Sequence, residues 1–509
     1  MNHEEFSFIS QGAAFHNKAH SRISDNEALL DRFLNEKNLN KALLLWLEGS
    51  SDSPISWAKE SLAPYFQRVV VELDRLITEQ INTIIHNTDF QKLEASWRNL
   101  KWLLVQTEQQ DKENKVKIKV LNCDWGTLSK DVNKAIDFDQ SSFFQLIYQS
   151  EFDRAGGEPF GVIIGDYEVS NSASGGAFYN DIDTIKEISR TSAAAFSPFI
   201  CSVSASFFGA DSFSDLGYYS DLFNQFEQKE YVKWQSFREM EESRFIGLTL
   251  PHVLVRAPYS NDGKRHQDFY FKEHIKDPEN DMLWGNAAFQ FVSTIIRAYC
   301  DSGWFGQIRG IEPGKVSKGL VTGLAKDSYA NDTYQKEAKP PLDLLVTSKL
   351  EKQFSELGFI PASSVTNTEH IVFYSNASAQ KAKYYDSSSA ATINARLSAM
   401  LQYILCVSRF AHYLKLMARD KVGSYYNSRE CEQDLQKWIN NYTAAPDSAS
   451  EYMRSKYPLS NAKIKVSENK ANPGHYFSVL QLQPHFQLDQ MVSSIKLITE
   501  LSPHHQIKE

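Results

Sequence analysis

The side chains able to do acid/base, nucleophilic or metal chemistry are scattered along this chain. His16 and His20 stand one helical turn apart, as in zinc peptidase helices, but Asn17 occupies the place where that chemistry needs a glutamate. They also lie in a polar, patternless stretch, so no metal role is expected of them. His252, His412, His475 and His485 are isolated in sequence, and His412, near Arg409 on an apolar helical pattern, reads as a surface or interface group. The five cysteines, Cys123, Cys201, Cys300, Cys406 and Cys431, include no Cys-x-x-Cys pair and read as reduced packing residues. No Gly-x-Ser-x-Gly elbow is present. Gly156-Gly157 precede a strand instead of following one, Gly165 is followed by the phosphate-repelling Asp166, and Gly310 to Lys315 lacks the spacing of a phosphate loop. Glu151, Asp153 and Glu158 are near enough in sequence for acid/base work, yet proximity fixes neither their separation nor their pKa. The expectation is a chain with no catalytic, cofactor-binding or metal-binding residues.

The elements that would have to position such groups are clearer. Leu29, Leu30, Phe33 and Leu34 begin an amphipathic stretch that resumes at Ala42 to Leu47. Val69, Leu73, Ile77, Ile81 and Ile84 predict a helix between Pro64 and His86, stopped by Asn87. Phe90, Leu93, Trp97, Leu100 and Leu104 predict a second. The alternation in Val116 to Leu121 predicts a half-buried strand, and helical patterns follow through Trp125 to Ala135 and Ser141 to Tyr148. Phe160 to Ile164 reads as an interior strand, Asp181 to Ala195 as a helix, and Phe199 to Val203 as another strand. Alternating strands and helices imply a partly parallel sheet covered by helices. Ser170 to Gly176 and Gly310 to Pro341 read as loops, the latter as a domain edge. Leu397, Met400, Leu401, Ile404, Val407, Ala411, Leu414 and Ala418 define one apolar stripe, a helix of about 28 residues or roughly 40 Å. Beyond it, Ala462, Ile464 and Val466 alternate with lysines, and the turn Asn472-Pro473-Gly474 leads to Tyr476, Leu480 and Leu482, predicting a hairpin. Ile495, Leu497 and Leu501 suggest a last strand. Trp97, Trp102, Trp284 and Trp304 are expected in the core.

Composition narrows the function classes. At 509 residues, the chain exceeds what one core usually serves, so two or three domains are expected. A content of 42% hydrophobic and 23% charged residues is that of a folded protein. The net charge of −9 disfavours nucleic acid as a partner. No apolar run reaches the roughly 18 to 20 residues of a bilayer span, and the polar first thirty residues lack a signal-peptide pattern, so a cytoplasmic protein without membrane insertion is expected.

Several phrases then resemble the TssC (VipB) family of type VI secretion sheath large subunits. They run, in the family's order, from FQKLEASWRNL (Phe90 to Leu100) through EFDRAGGEPFGVIIGDY (Glu151 to Tyr167) and SRFIGLTLPHVLVRAPY (Ser243 to Tyr259). LWGNAAF (Leu283 to Phe289), GFIP (Gly358 to Pro361), NARLSAMLQYILCVSRFAHYL (Asn394 to Leu414) and PHFQL (Pro484 to Leu488) complete the set. The sequence departs at Asn99, where the family often has Gly, at His252, where it often has Arg, and at Pro313-Gly314, in place of a Gly-Gly turn.

The resemblance implies a mixed α/β and α+β fold: an N-terminal arm with helices over 1–60, a sheath middle α/β domain over 61–385, and an inner sheath domain over 386–509. It implies a heterodimer with a small sheath subunit of the TssB/VipA type, helical copies around an Hcp tube, a baseplate, and recycling by a ClpV-type AAA+ ATPase, with no catalysis. A phage-type tail sheath, an α/β enzyme with a clustered His and carboxylate site, and a non-polymerising scaffold are the competing readings. The residues expected to pair with neighbouring chains are Ile464, Val466, Tyr476, Leu480, Leu482, Ile495, Leu497 and Leu501, because unpaired strand edges are templates for another chain.

Overall fold

The structure is a computed structural model that describes residues 29–485 apart from 40, 43–44, 46–58, 153, 155, 173–177, 220, 261–268, 270, 313, 331–335, 387–388, 421–427, 445–450 and 469–475. The chain divides into two compact units, Met1–Glu79 and Gln80–Glu509. In the first, residues 29–35 are helical. Helix α1 (Lys59–Ile85) begins there, and Arg75 binds Glu72 and Glu79 along its exposed side.

In the second unit Asn87 both ends α1 and caps α2 (Thr88–Gln110): its side chain accepts from the Asp89 and Phe90 amides. Helix α3 (Trp125–Lys134) is capped by Asp124. Strand β1 (Ile163–Val169), helix α4 (Asp181–Ala195) and strand β2 (Phe199–Val203) then form a parallel unit. The α4 N-terminus is buried, and its Asp181 carboxylate accepts from Trp125 Nε1 (2.8 Å) and the Ser170 amide (2.9 Å), satisfying a charge that burial would otherwise penalise. Apart from short helical turns, the chain goes on through α5 (Val232–Arg238), β3 (Ile246–Leu250), β4 (Val253–Arg256), β5 (Leu283–Gly285) and α6 (Ala288–Ser302). They continue with β6 (Leu320–Val321), β7 (Ser328–Ala330), β8 (Lys336–Ala338), α7 (Ser348–Glu356), β9 (Ile360–Ser364) and β10 (Ile371–Phe373).

Six strands form the central sheet in the order β1-β2-β3-β9-β10-β6, parallel from β1 to β9 and antiparallel beyond. The mixed class and partly parallel sheet expected from the pattern are therefore present. Alternate residues of β2 feed two cores: Phe199, Cys201 and Val203 pack on the α4 side, and Ile200 packs with Phe291 and Ile295 of α6. The α4 side is rich in aromatics. Trp234 stacks on Phe359 at 5.5 Å, and Phe207 meets both rings edge-on, at 5.2 and 5.6 Å.

The last elements are α8 (Ser389–Ser398), α9 (Leu401–Asp420), α10 (Ser428–Asn440), α11 (Glu451–Lys456), β11 (Leu459–Glu468) and β12 (Tyr476–Pro484). Strands β11 and β12 pair antiparallel, with Ile464 opposite Leu480 and Ala462 opposite Leu482. Ala462, Ile464 and Val466 pack on Phe410 and Leu414 of α9 and Leu435 and Ile439 of α10.

Several expectations are corrected. The single helix of about 28 residues is two, α8 and α9, because residues 399–401 turn aside to pair with 376–378: Ser378 donates to Ala399 O, and the Leu401 amide to Asn376 O, both at 2.9 Å. Val116 to Leu121 joins no strand; it is held by Lys117–Glu158 and Lys119–Glu151 side-chain pairs instead. The strand placed at Phe160 to Ile164 begins at Ile163 and runs through Gly165, where a Cβ would meet Phe199 Cζ at 2.4 Å. Residues 310–341 are no mere loop at an edge, since they contribute β6, whose Leu320 and Val321 are buried. Trp304 is buried and Trp102 and Trp284 are half-buried, but Trp97 is exposed.

Phe359→Ala removes the ring on which Trp234 stacks. It is expected to cost about 3–5 kcal/mol of unfolding free energy, the range for aromatic-to-alanine changes in cores, read by denaturant titration.

Candidate functional site

The groups most capable of chemistry are each engaged in holding the fold. His252 follows β3 and is brought between two carboxylates: Nδ1 lies 2.8 Å from Asp343 Oδ2, and Nε2 lies 3.1 Å from Glu168 Oε1. Its own amide donates to Asp343 Oδ1 at 2.9 Å, and Phe213 packs edge-on to the ring. Burial works against the charged ring, but Asp343 and then Glu168 outweigh it and push the pKa up to about 10. For Glu168 burial is likewise overcome, by the His252 hydrogen bond, and its pKa falls below the ordinary carboxylate range. Two nitrogens donating to two carboxylates leave no lone pair for a proton or a metal. The cluster is a buried cation held between two anions, a structural ion pair in its bonding pattern.

His412 is not the surface or interface group the sequence suggested. It is buried between the rings of Phe152 and Phe196, with Nε2 donating at 2.8 Å to Ala195 O at the end of α4. Burial pushes its pKa down to about 4, so the ring is neutral. Glu151 and Glu158 are tied to Lys119 and Lys117, while Asp153, His16, His20 and His475 lie outside the described residues. Among the described residues no group of three His, Cys, Asp or Glu side chains is arranged to hold a metal.

A second charge cluster seats α2. Arg256 of β4 makes a bidentate pair with Glu273, at 2.6 and 3.1 Å, and donates through Nε to Glu94 of α2 at 3.0 Å. Glu94 also accepts from Arg98, and Glu273 from the Tyr259 amide, while His86 Nε2 lies 3.2 Å from Glu273. On the same side of α2, Asn99 accepts from Gln290 at 3.0 Å and Ala95, Leu103 and Thr107 are buried. A Cβ at Gly285 would lie 2.6 Å from Asn99 Nδ2, so β5 and α2 touch closely here.

The apolar stripe that predicted α2 faces elsewhere. Phe90, Leu93, Trp97 and Leu104 are all exposed, Trp97 by 64%. The helix thus has a seated face and an apolar outward face. The spacing gave the helix; the second face, Ala95, Asn99, Leu103 and Thr107 at intervals of four, was the signal that Trp97 points outward.

Of the expected inter-subunit residues, Ile464 and Val466 lie in β11 with buried side chains, Tyr476, Leu480 and Leu482 lie in β12, and Ile495, Leu497 and Leu501 lie outside the described residues. Strands β11 and β12 form a two-stranded sheet, and the outer edge of β11 is bridged by backbone only at Leu459, in parallel to Thr443, among the described residues.

The chain matches two family models in sequence. Residues 67–380 match VipB, described as the EvpB/VC_A0108 tail sheath N-terminal domain, and residues 390–501 match VipB_2, the tail sheath gpW/gp25-like domain. It is 35% identical over 439 residues to the Type VI secretion system sheath protein TssC1 of Pseudomonas aeruginosa, covering 86% of this chain and 85% of that one. A charge-locked sheet domain followed by a helix-backed hairpin, carrying these two matches, defines a tail sheath protein. The chain belongs to the large-subunit family of the type VI secretion sheath, the TssC/VipB family.

Two predictions test this geometry. His252→Leu removes the cation that Asp343 and Glu168 flank and is expected to cost about 3 kcal/mol. Because binding raises the His252 pKa, its contribution is complete below the unfolded value of about 6.5 and lost as pH rises toward about 10, so the stability gap between the two proteins narrows over that window. His252→Arg keeps the cation and should hold the gap open at pH 9.5 in paired thermal melts. On α2, Trp97→Ser should change unfolding free energy by less than about 0.5 kcal/mol, whereas Leu103→Ala on the seated face should cost about 2–5 kcal/mol.

Proposed function

We propose that this chain is a structural sheath subunit that pairs with a small sheath subunit of the TssB/VipA type and polymerises helically around an Hcp tube. Contraction of that polymer drives the tube outward. On this reading the assembly docks on a baseplate in the bacterial cytoplasm, a ClpV-type AAA+ ATPase takes the spent sheath apart, and the chain itself catalyses nothing. Residues 1–60 serve as an arm to neighbours, 61–385 as the outward middle domain, and 386–509 as the inner domain facing the tube.

The observation that carries this reading is the β11–β12 hairpin: two strands, backed by α9 and α10, with no third strand among the described residues. Strand edges of this kind are completed by other chains. The outward stripe of α2 supplies an apolar surface for the small subunit, with Trp97 as its anchor. Among the described residues no helix is long and apolar enough to cross a membrane, and the net charge of −9 suits neither a membrane surface nor nucleic acid. Work needs no cofactor: burying apolar area on contraction yields about 25 cal/mol per Å², multiplied over many subunits.

Negative-stain microscopy of the chain coexpressed with its small subunit should show hollow, ridged cylinders; discrete particles at high abundance of both chains would refute the reading. Deleting residues 475–509 should leave heterodimers but no cylinders, because the second hairpin strand and the segment after it are lost.

A further inference from the structure

Residues 115–122 (KVKIKVLN) carry a strand's sequence without a strand's partners. The β-branched Val116, Ile118 and Val120 alternate with Lys115, Lys117 and Lys119, a composition that favours the pleated conformation. Burial follows the same period of two, with Val116 and Ile118 half-buried and Lys117 and Lys119 exposed. Yet the segment belongs to no helix or strand, and among the described residues no backbone N–H or C=O from Lys117 to Asn122 bonds another backbone group. Val120 and Leu121 are left 68% and 59% exposed.

Side chains nonetheless hold the segment in place. At its start the Val116 amide donates to Asp111 Oδ2 (2.7 Å), and just past its end Tyr167 of β1 donates its hydroxyl to Cys123 O (2.7 Å). Between them Lys117 pairs with Glu158, and Lys119 pairs with Glu151 at 2.6 Å while its ammonium lies 5.0 Å from the centroid of the Phe160 ring. A segment fixed in this way has already lost much of the chain entropy that pairing would cost. It is an edge ordered in advance, the condition under which another chain adds a strand.

The lysines decide which chain that is. A second copy pairing antiparallel about Ile118 would set Lys117 opposite Lys119, and in-register parallel pairing would set each lysine beside its own copy. Like charges so placed destabilise a pair, and a shift of one residue sets lysine against isoleucine. The occupant is therefore a different chain, whose strand is apolar beside Ile118 and Val120 and acidic or uncharged beside Lys117 and Lys119.

We propose that Lys117 to Leu121 accepts a β-strand from the small sheath subunit, so that the two chains share backbone hydrogen bonds at this point of the middle domain. This rests on the sheath reading above and adds the accepting segment and the chemistry of the strand that fills it.

Hydrogen exchange over Lys117 to Leu121 tests it, in the chain alone and in its complex with the small subunit. A neighbouring strand bonds alternate amides, so alternate positions should slow about tenfold or more in the complex, the worth of one hydrogen bond, while those between change less. Equal exchange in the two states would overturn the proposal. Slowing that appears in the chain alone as its concentration rises would overturn the assignment to the small subunit. Val120→Pro with Leu121→Pro removes one amide from each edge, and because neither bonds backbone among the described residues, the thermal melt of the free chain should stay in place. Affinity of this double variant for the small subunit should fall about tenfold or more; wild-type affinity would sink the proposal. Should the double variant not fold, the exchange comparison on the wild type decides. Failure of the wild-type chain to bind the small subunit at all would defeat the sheath reading itself, a separate outcome.

Discussion

The pair between Arg256 and Glu273 is the constraint around which the second unit is arranged. Its ions are almost wholly withdrawn from solvent, and breaking such a pair strands a charge at a cost of several kcal/mol. Burial favours the neutral forms, yet the mutual hydrogen bonds win, holding the Glu273 pKa below the ordinary carboxylate range and raising that of Arg256. Because Arg256 also reaches Glu94, and Glu273 also meets His86, the geometry of one guanidinium fixes β4, the start of α2 and the segment around residue 273 together. The outward display of Trp97 follows from this seating and not from any preference of the side chain.

The same economy governs the other ionisable groups. His252 is flanked by carboxylates and charged, His412 is sealed among rings and neutral, and in neither case is the proton poised near neutrality as acid/base chemistry would require. Titratable groups that a catalyst would tune toward pH 7 are here tuned away from it, which is what a permanent structural contact favours. A sheath subunit depends on rigid bodies and complementary edges, and its charges serve that rigidity.

What could be read from the sequence divides along the line between local and distant causes. The helix at Asp181–Ala195 and the strand at Phe199–Val203 were legible to the residue, because periodicity and capping are local properties. The break at Ala399 and Met400 was not, since nothing in a continuous apolar stripe announces that Asn376 and Ser378 will claim those backbone groups. Val116 to Leu121 has a strand's alternation, but a strand also needs a neighbour, and here lysine side chains reach the adjacent segment in place of the backbone. Asn99 and His252 meet partners far away in sequence, Asn99 Oδ1 the Gln290 carboxamide and His252 two carboxylates, which no local pattern announces. Gln436 and Glu432 of α10, whose side chains bond the β11 backbone at Ala462, Ile464 and Val466, gave no sequence signal, because those contacts depend on a strand some thirty residues away.

Helix α9 belongs to two cores at once. Leu401 and Leu405, at its start, pack with the central sheet, and a Cβ on Gly247 of β3 would lie 2.6 Å from Leu401 Cδ1; Phe410 and Leu414, further along, pack with the hairpin. Its 20 residues, about 30 Å of helix, are therefore a strut bolted at both ends. A displacement of the hairpin is passed through the helix and its packed side chains at Leu401 and Leu405 to the central sheet, so the two cores move as one piece.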